Sequence, residues 1–278
     1  MKKITIQDIQ KFKGNETPFA TITAYDYVSA QNADVVDIPL FLVGDSAAMV
    51  VYGMENTIPI SMDELLFLVR AVCRGTKKAL VVADMPFMSY QASVEDAVRN
   101  AGRFVKAGGA CAIKLEGGTP YTAQIRAIID AGIPVMGHVG LLPQSYNLSS
   151  GYRIQGKSKH EADKIIEDAE AVQESGAFAV VLEGIPGDLA ERITKLLDIP
   201  TIGIGAGPYC DGQIQVYHDI LGLYGDFSPK HAKRYGNFGV EIQKKLAEYK
   251  NEVEGKLFLL KNTSLPAKPN SKKTTNYF

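Results

Sequence analysis

Only three cysteines, Cys73, Cys111 and Cys210, occur in 278 residues. An odd, widely spaced set argues against a disulfide framework and for a reducing compartment, with each thiol expected to be buried. Cys210 falls in a loop and is the one whose reactivity matters. Charge of one sign is missing as well: 30 basic residues face 31 acidic ones, a net charge of −1, which carries no signal for nucleic acid or a membrane surface. No apolar run approaches the roughly 20 residues of a membrane span. The opening MKKITIQDIQ has lysines but no apolar core behind them, so no secretory signal is expected and a cytoplasmic location is. No His or Cys pair stands at zinc spacing. No Gly-rich dinucleotide fingerprint follows the first strand, which weakens a doubly wound open sheet.

What is present is one pattern used four times. LVGDS (Leu42 to Ser46) runs from apolar residues into Asp45; VVAD ends at Asp84, IKLE at Glu116 and VVLE at Glu183. A strand apolar on both faces belongs to a sheet covered on both faces. An acid at its end is costly to bury alone. Four acids at C-terminal strand ends suggest one shared acidic site, as at the mouth of an α/β barrel.

Taken in order, the chain predicts a short N-terminal helix over 4–13 stopped by Gly14, then strands at Pro18–Tyr25, 40–45, 79–84, 111–116, 134–139, 178–183 and 200–205, with an eighth over Gln213 to Tyr217. Between them lie helical stretches: one reaching Val36, one capped by Ser61 and Glu64 and stopped by Gly75, one from Ser93 to about Ala107, one opened by Thr119-Pro120 and stopped by Gly132, Glu161 to Glu174, and Asp188 to Leu197. This alternation predicts a (β/α)8 barrel. The Gly-, Ser- and Tyr-rich segment from Gly140 to Ser158 is long enough to be a lid or binding loop. One catalytic barrel domain over 1–261, with a terminal helix over Leu246 to Leu260, and a disordered polar tail over 262–278 complete the expectation.

Asp45 and Asp84 are the leading metal-ligand candidates, because magnesium uses one or two carboxylates plus substrate oxygens and water. Glu116 is a third, directly or through water. For any one aspartate alone, a helix cap or a lysine partner is the commoner role; the set favours a site. Lys114 precedes Glu116 by two and shares its face, where it must meet a carboxylate partner or a substrate carboxylate. A Schiff-base role is less favoured beside so many acids. His138 ends the fifth strand and is as readily structural as functional. Glu183, across the barrel, is a natural general base. GIGAG (Gly203 to Gly207) lies where barrels often hold phosphate, though tight packing explains it better. Together these residues suit proton abstraction beside a metal-polarised carbonyl.

TAYDY at 23–27, LVGDS at 42–46, ADMPFMSY at 83–90, IKLEGG at 113–118, GHVGLLPQS at 137–145, GYRIQG at 151–156, LEGIP at 182–186 and GIGAGPYCDGQ at 203–213 resemble, in order, the ketopantoate hydroxymethyltransferase family. The resemblance runs from about residue 4 to about residue 245. It implies a barrel of the phosphoenolpyruvate-mutase and isocitrate-lyase superfamily that moves a hydroxymethyl group from 5,10-methylenetetrahydrofolate to 3-methyl-2-oxobutanoate. It further implies Mg2+ on Asp45 and Asp84 with Glu116, the 2-oxo acid among Asp45, Ser46, Asp84 and Lys114 with His138 nearby, and Glu183 as proton acceptor. The family forms rings, commonly decamers, so a homo-oligomer is implied. The chain departs from the family's usual pattern at Ala47-Ala48, Met54, the TIP of 57–59, Leu142, Gln215 and His231, none of them a proposed ligand or base. A superfamily lyase or mutase is the alternative, disfavoured because no KKCGH-like loop occurs. Retention of all the strand-end acids counts against an inactive scaffold barrel.

Overall fold

The structure, a computed structural model, describes residues 3–224, 229 and 232–258. Eight parallel strands close into a barrel in chain order. They are β1 (Phe19–Thr23), β2 (Leu40–Val43), β3 (Leu80–Asp84), β4 (Ala112–Lys114), β5 (Val135–Gly140), β6 (Ala179–Glu183), β7 (Thr201–Ile204) and β8 (Gly212–Gln215), with β8 closing on β1. The helices are α1 (Ile6–Gln10), α2 (Tyr27–Val35), α3 (Ala47–Val50), α4 (Met62–Gly75), α5 (Val94–Arg103), α6 (Thr122–Asp130), α7 (Lys159–Glu174), α8 (Gly187–Leu196), α9 (Tyr217–Leu221) and α10 (Phe238–Glu254). This is the (β/α)8 fold the alternation predicts.

Local chemistry starts the helices. Thr5 with Asp8, Ser61 with Glu64 and Ser158 with Glu161 form reciprocal capping boxes, each satisfying helix-end N–H groups that would otherwise lack acceptors. Asp26 and Ser29 do the same for α2. Asp34, in the last turn of α2, fastens that helix to β3. Its buried carboxylate accepts the backbone N–H groups of Lys77, Lys78 and Ala79 at 3.1, 2.9 and 2.9 Å.

The core has two layers, set by strand parity. Leu40, Leu42, Leu80, Val82, Ala112, Met136, Ala179, Val181, Ile202, Ile204 and Ile214 fill the barrel interior. Their alternates, such as Phe41, Val43, Val81, Ile113, Val180 and Leu182, pack outward against the helices. The same two-residue step carries Leu80–Val82 on to Asp84, Ala112 to Lys114 and Glu116, Met136 to His138, and Ala179–Val181 to Glu183. The inward face therefore turns from apolar to ionisable at the C-terminal mouth.

Several boundaries differ from the sequence expectation. β8 spans Gly212–Gln215 rather than Gln213 to Tyr217, because Tyr217 opens the short α9. Helix α10 begins at Phe238, earlier than Leu246, and ends at Glu254. The strand expected over 111–116 ends at Lys114. Leu115 and Gly117 still donate backbone hydrogen bonds to Met136 and His138, which keeps Glu116 beside β5. The expected tail, 262–278, lies outside the described residues, as do Leu259 and Leu260 of the expected terminal helix.

Candidate active site

The strand-end acids meet at the barrel mouth. Asp84 and Lys114 are paired across β3 and β4, and the Lys114 ammonium donates to both oxygens of Asp84, at 2.8 Å to Oδ1 and 2.7 Å to Oδ2. Glu116 Oε1 is 3.5 Å from the same ammonium. The backbone N–H of Asp45 donates to Asp84 Oδ2 at 3.1 Å. Asp45, Asp84, Lys114, Glu116 and His138 are all buried.

Asp45 breaks the parity of its strand: Leu40 and Leu42 face inward, which would give Gly44 the next inward place. The chain leaves the strand after Val43, and Gly44 keeps the place open. A Cβ there would lie 2.9 Å from Ser46 Oγ and 3.8 Å from Asp84 Oδ2. Ser46 shares a hydrogen bond of 2.8 Å with the Tyr25 hydroxyl.

His138 stands between two carboxylates. Its Nδ1 is 3.5 Å from Glu116 Oε1 and its Nε2 3.2 Å from Glu183 Oε2. Neither approach has hydrogen-bond geometry, so the attraction is one of charge. Burial and the Lys114 ammonium push the imidazole pKa down, but Glu116 and Glu183 outweigh them and lift it to about 9. Lys114 is treated the same way: burial works to neutralise it, while Asp84, Glu116 and Asp45 hold it above the ordinary lysine value. Burial, then the charge of Asp84, pushes Asp45 well above the usual carboxylate range. Burial would also raise Glu116, but Lys114 and His138 hold it below that range.

Gln144, Tyr90 and Gln91 were not singled out from the sequence. Gln144 lies in a short 3-10 turn, Pro143–Ser145, after β5. Its Nε2 donates to Asp45 Oδ2 at 3.0 Å and to the Met85 carbonyl at 2.9 Å, and its backbone N–H donates to Glu116 Oε2 at 3.0 Å. Tyr90, itself buried, brings its hydroxyl to 2.9 Å from the Glu116 carbonyl and 3.0 Å from Gln144 Oε1. Two sequence signals point to Gln144: it lies within the GHVGLLPQS block of the family resemblance, and it falls in the long loop just past a strand end.

Asp45, Ser46, Asp84, Lys114, Glu116, His138 and Glu183 line a cavity of about 440 Å³, with Leu42, Val181, Ile204 and Ile214 as its apolar wall. That size suits a small ligand. The Gly140–Ser158 segment does reach it: Tyr152, Arg153 and Ile154 line the cavity, and the Tyr152 hydroxyl rests 3.6 Å from Met49 Sδ. Burial, with the Asp45 and Glu183 charges behind it, pushes the Tyr152 phenol up to about 12.

In GIGAG, Ile204 and Gly205 line the cavity, while Gly207 makes the tight packing favoured from sequence. A Cβ on Gly207 would come within 2.9 Å of the Gly187 Cα at the start of α8. Cys210 is buried, and burial raises its pKa, which keeps it an unreactive thiol. Cys73 and Cys111 are only partly buried, short of the expectation. Of the departures from the family pattern, Ala47 and Ala48 are buried in the outer core and Met54 packs against it. His231 lies outside the described residues.

A closed parallel barrel whose mouth gathers buried carboxylates, an ammonium and an imidazolium is a barrel enzyme by architecture. Comparison with known proteins narrows this. Residues 3–259 match the family described as ketopantoate hydroxymethyltransferase. The chain is 53% identical over 253 residues to the 3-methyl-2-oxobutanoate hydroxymethyltransferase of Geobacter metallireducens, covering 91% of this chain and 95% of that one. Among solved structures, phosphonopyruvate hydrolase aligns with a TM-score of 0.59 at 15% identity, over 96% of this chain and 92% of that one. A 2,3-dimethylmalate lyase, a member of the PEP mutase/isocitrate lyase superfamily, aligns with a TM-score of 0.55 at 15% identity, over 97% and 92%. At that identity the likeness is one of fold. The chain belongs to the ketopantoate hydroxymethyltransferase family.

Proposed function

We propose that the protein transfers a hydroxymethyl group from 5,10-methylenetetrahydrofolate to 3-methyl-2-oxobutanoate, forming 2-dehydropantoate for pantothenate biosynthesis in the cytoplasm. The observation that carries this reading is the meeting, at one cavity, of Asp45, Asp84, Lys114, Glu116, His138 and Glu183 in a chain of this family.

The charge balance of the site favours a divalent cation. Asp84, Glu116 and Glu183 already outnumber the two cations, Lys114 and the imidazolium of His138, and the buried Asp45 beside them would need a further positive charge to be held ionised. The buried Glu116 Oε1 has no hydrogen-bond donor. No group of three His, Cys, Asp or Glu side chains is arranged as a ready-made cage among the described residues. An oxygen-only donor set of one or two carboxylates is the pattern magnesium uses, with substrate and water completing its shell. Asp45 and Asp84 would hold it, with Glu116 directly or through water. When bound, the ion supplies Lewis-acid polarisation of the 2-oxo group.

The chain's own residues do the rest. Lys114 has three N–H donors and gives two to Asp84, which leaves one for the substrate carboxylate. Ser46 offers its hydroxyl beside Asp45. Glu183 takes the proton from C3 of the keto acid, and protonated His138 steadies the Glu183 and Glu116 carboxylates by charge. Water opens the folate's methylene bridge, breaking both C–N bonds and releasing tetrahydrofolate; the C3 carbanion adds to the resulting formaldehyde-level carbon, and the new alkoxide takes up the proton held by Glu183. The apolar wall receives the isopropyl group.

The test is deuterium exchange at C3 of 3-methyl-2-oxobutanoate, followed by NMR with Mg2+ and without folate. Wild type should exchange only with the metal. Glu183→Gln should lose about 10²-fold or more, the scale of a general base. Folded, metal-loaded wild type that leaves C3 unexchanged would sink the enolisation chemistry.

A further inference from the structure

Gln144 has no part in the roles above, yet each hydrogen-bonding group of its side chain is engaged at the site. Two donors go to Asp45 Oδ2 and the Met85 carbonyl. The amide oxygen accepts from Gln91 Nε2 at 3.1 Å and faces the Tyr90 hydroxyl at 3.0 Å. The side chain is buried, so each of these contacts replaces water rather than competing with it.

We propose that Gln144 is a positioning residue that selects which oxygens of Asp45 and Glu116 are free for chemistry. Its amide occupies Asp45 Oδ2, and its backbone N–H occupies Glu116 Oε2. Asp45 Oδ1 receives no hydrogen bond among the described residues, and the buried Glu116 Oε1 has none. One residue on the segment after β5 thus restrains acids that follow β2 and β4, and through Met85 it is tied to the end of β3. The amide orientation is determined by its surroundings: the Met85 carbonyl can only accept, so the NH2 must face it and Asp45 together. A glutamate there would set a carboxylate against both acceptors. A methionine would keep the length and the backbone N–H to Glu116 but release Asp45.

This inference rests on the metal reading above, and its test separates the two. The full-length protein is titrated with Mn2+, with the free ion followed by electron paramagnetic resonance, and C3 exchange is measured at saturating keto acid. Gln144→Met should weaken Mn2+ binding by about ten- to a hundredfold, the scale for losing a partner that orients a metal ligand, and slow exchange in parallel. Gln91→Ala removes one anchor of the Gln144 oxygen without touching either acid, and should shift Mn2+ affinity less but in the same direction. If Gln144→Met does not fold, Gln91→Ala decides by that criterion. A lowered Tm with Mn2+ affinity and exchange unchanged would mean a merely structural role and overturns the proposal. Wild type without Mn2+ affinity overturns the metal reading and this role with it. Wild type that binds Mn2+ but exchanges no proton overturns only the keto-acid reading, and the Mn2+ shift still decides Gln144.

Discussion

Lys114 is a buried ammonium facing three carboxylates, and its charge state limits the chemistry of the site. A Schiff-base lysine needs a free amine near neutral pH. Asp84, Glu116 and Asp45 raise the Lys114 pKa instead, so it serves as a fixed cation. Gly44 matters for the opposite reason, because it must have no side chain. Gly44→Ala would bring a Cβ to 2.9 Å from Ser46 Oγ and force Ser46 away from Tyr25. Overpacking of this kind should cost about 1–3 kcal/mol of stability. Loss of the Ser46 contact should weaken keto-acid binding by about tenfold, near 1.4 kcal/mol. Calorimetric titration checks this; unchanged affinity would mean that Ser46 does not touch the substrate.

At the scale of elements, the barrel depends on polar fasteners between helix and strand. Asp34 is the clearest, since its carboxylate holds three backbone N–H groups ahead of β3. Asp34→Ala should lose about 1–3 kcal/mol, because those donors are left without an acceptor. Burial alone would raise the Asp34 pKa, but the N–H groups of Ala79, Lys78 and Lys77 bring it below the usual value. A folded pKa below the unfolded one, about 3.9, means the stabilisation is complete above that pH and fades as pH falls through the folded value. Urea melts of wild type and Asp34→Ala should therefore differ fully at pH 6 and converge in acid. A gap that widened in acid would contradict the assignment.

For the whole molecule, α10 is the long helix that buries least among the described residues. None of its residues is buried, and Phe238, Ile242, Leu246, Tyr249 and Val253 recur at helical spacing while 47%, 50%, 61%, 53% and 45% exposed. A helix of this length gains little stability alone in water, since amphipathic helices are held mainly by packing. This supports the homo-oligomer expected for the chain. Sedimentation velocity should find a species larger than the monomer, and replacing Ile242 and Leu246 with lysine should shift it towards the monomer. A wild-type monomer at micromolar concentration would remove the expectation. No helix among the described residues is long and apolar enough to cross a membrane.

The amino-acid sequence by itself determined the barrel, its strand order and most of its site. The strands β2 to β6 are short apolar runs, and the two-residue period of β3 to β6 carries Asp84, Lys114, Glu116, His138 and Glu183 to one face at one end. That information is local, and it survives in the order of residues. The boundaries of β8 and α10 were less legible, because strand and helix ends depend on what packs against them. Asp45 reaches the mouth off-parity through a chain turn at Gly44, which no period encodes. Gln144 falls inside the GHVGLLPQS block, yet its contacts are not legible in the sequence, for a related reason. Its partners Asp45, Met85 and Glu116 lie 99, 59 and 28 residues away in the chain. Only closure of the barrel brings an amide and those acids into hydrogen-bond reach, so only the tertiary structure decides which oxygens are held and which are free.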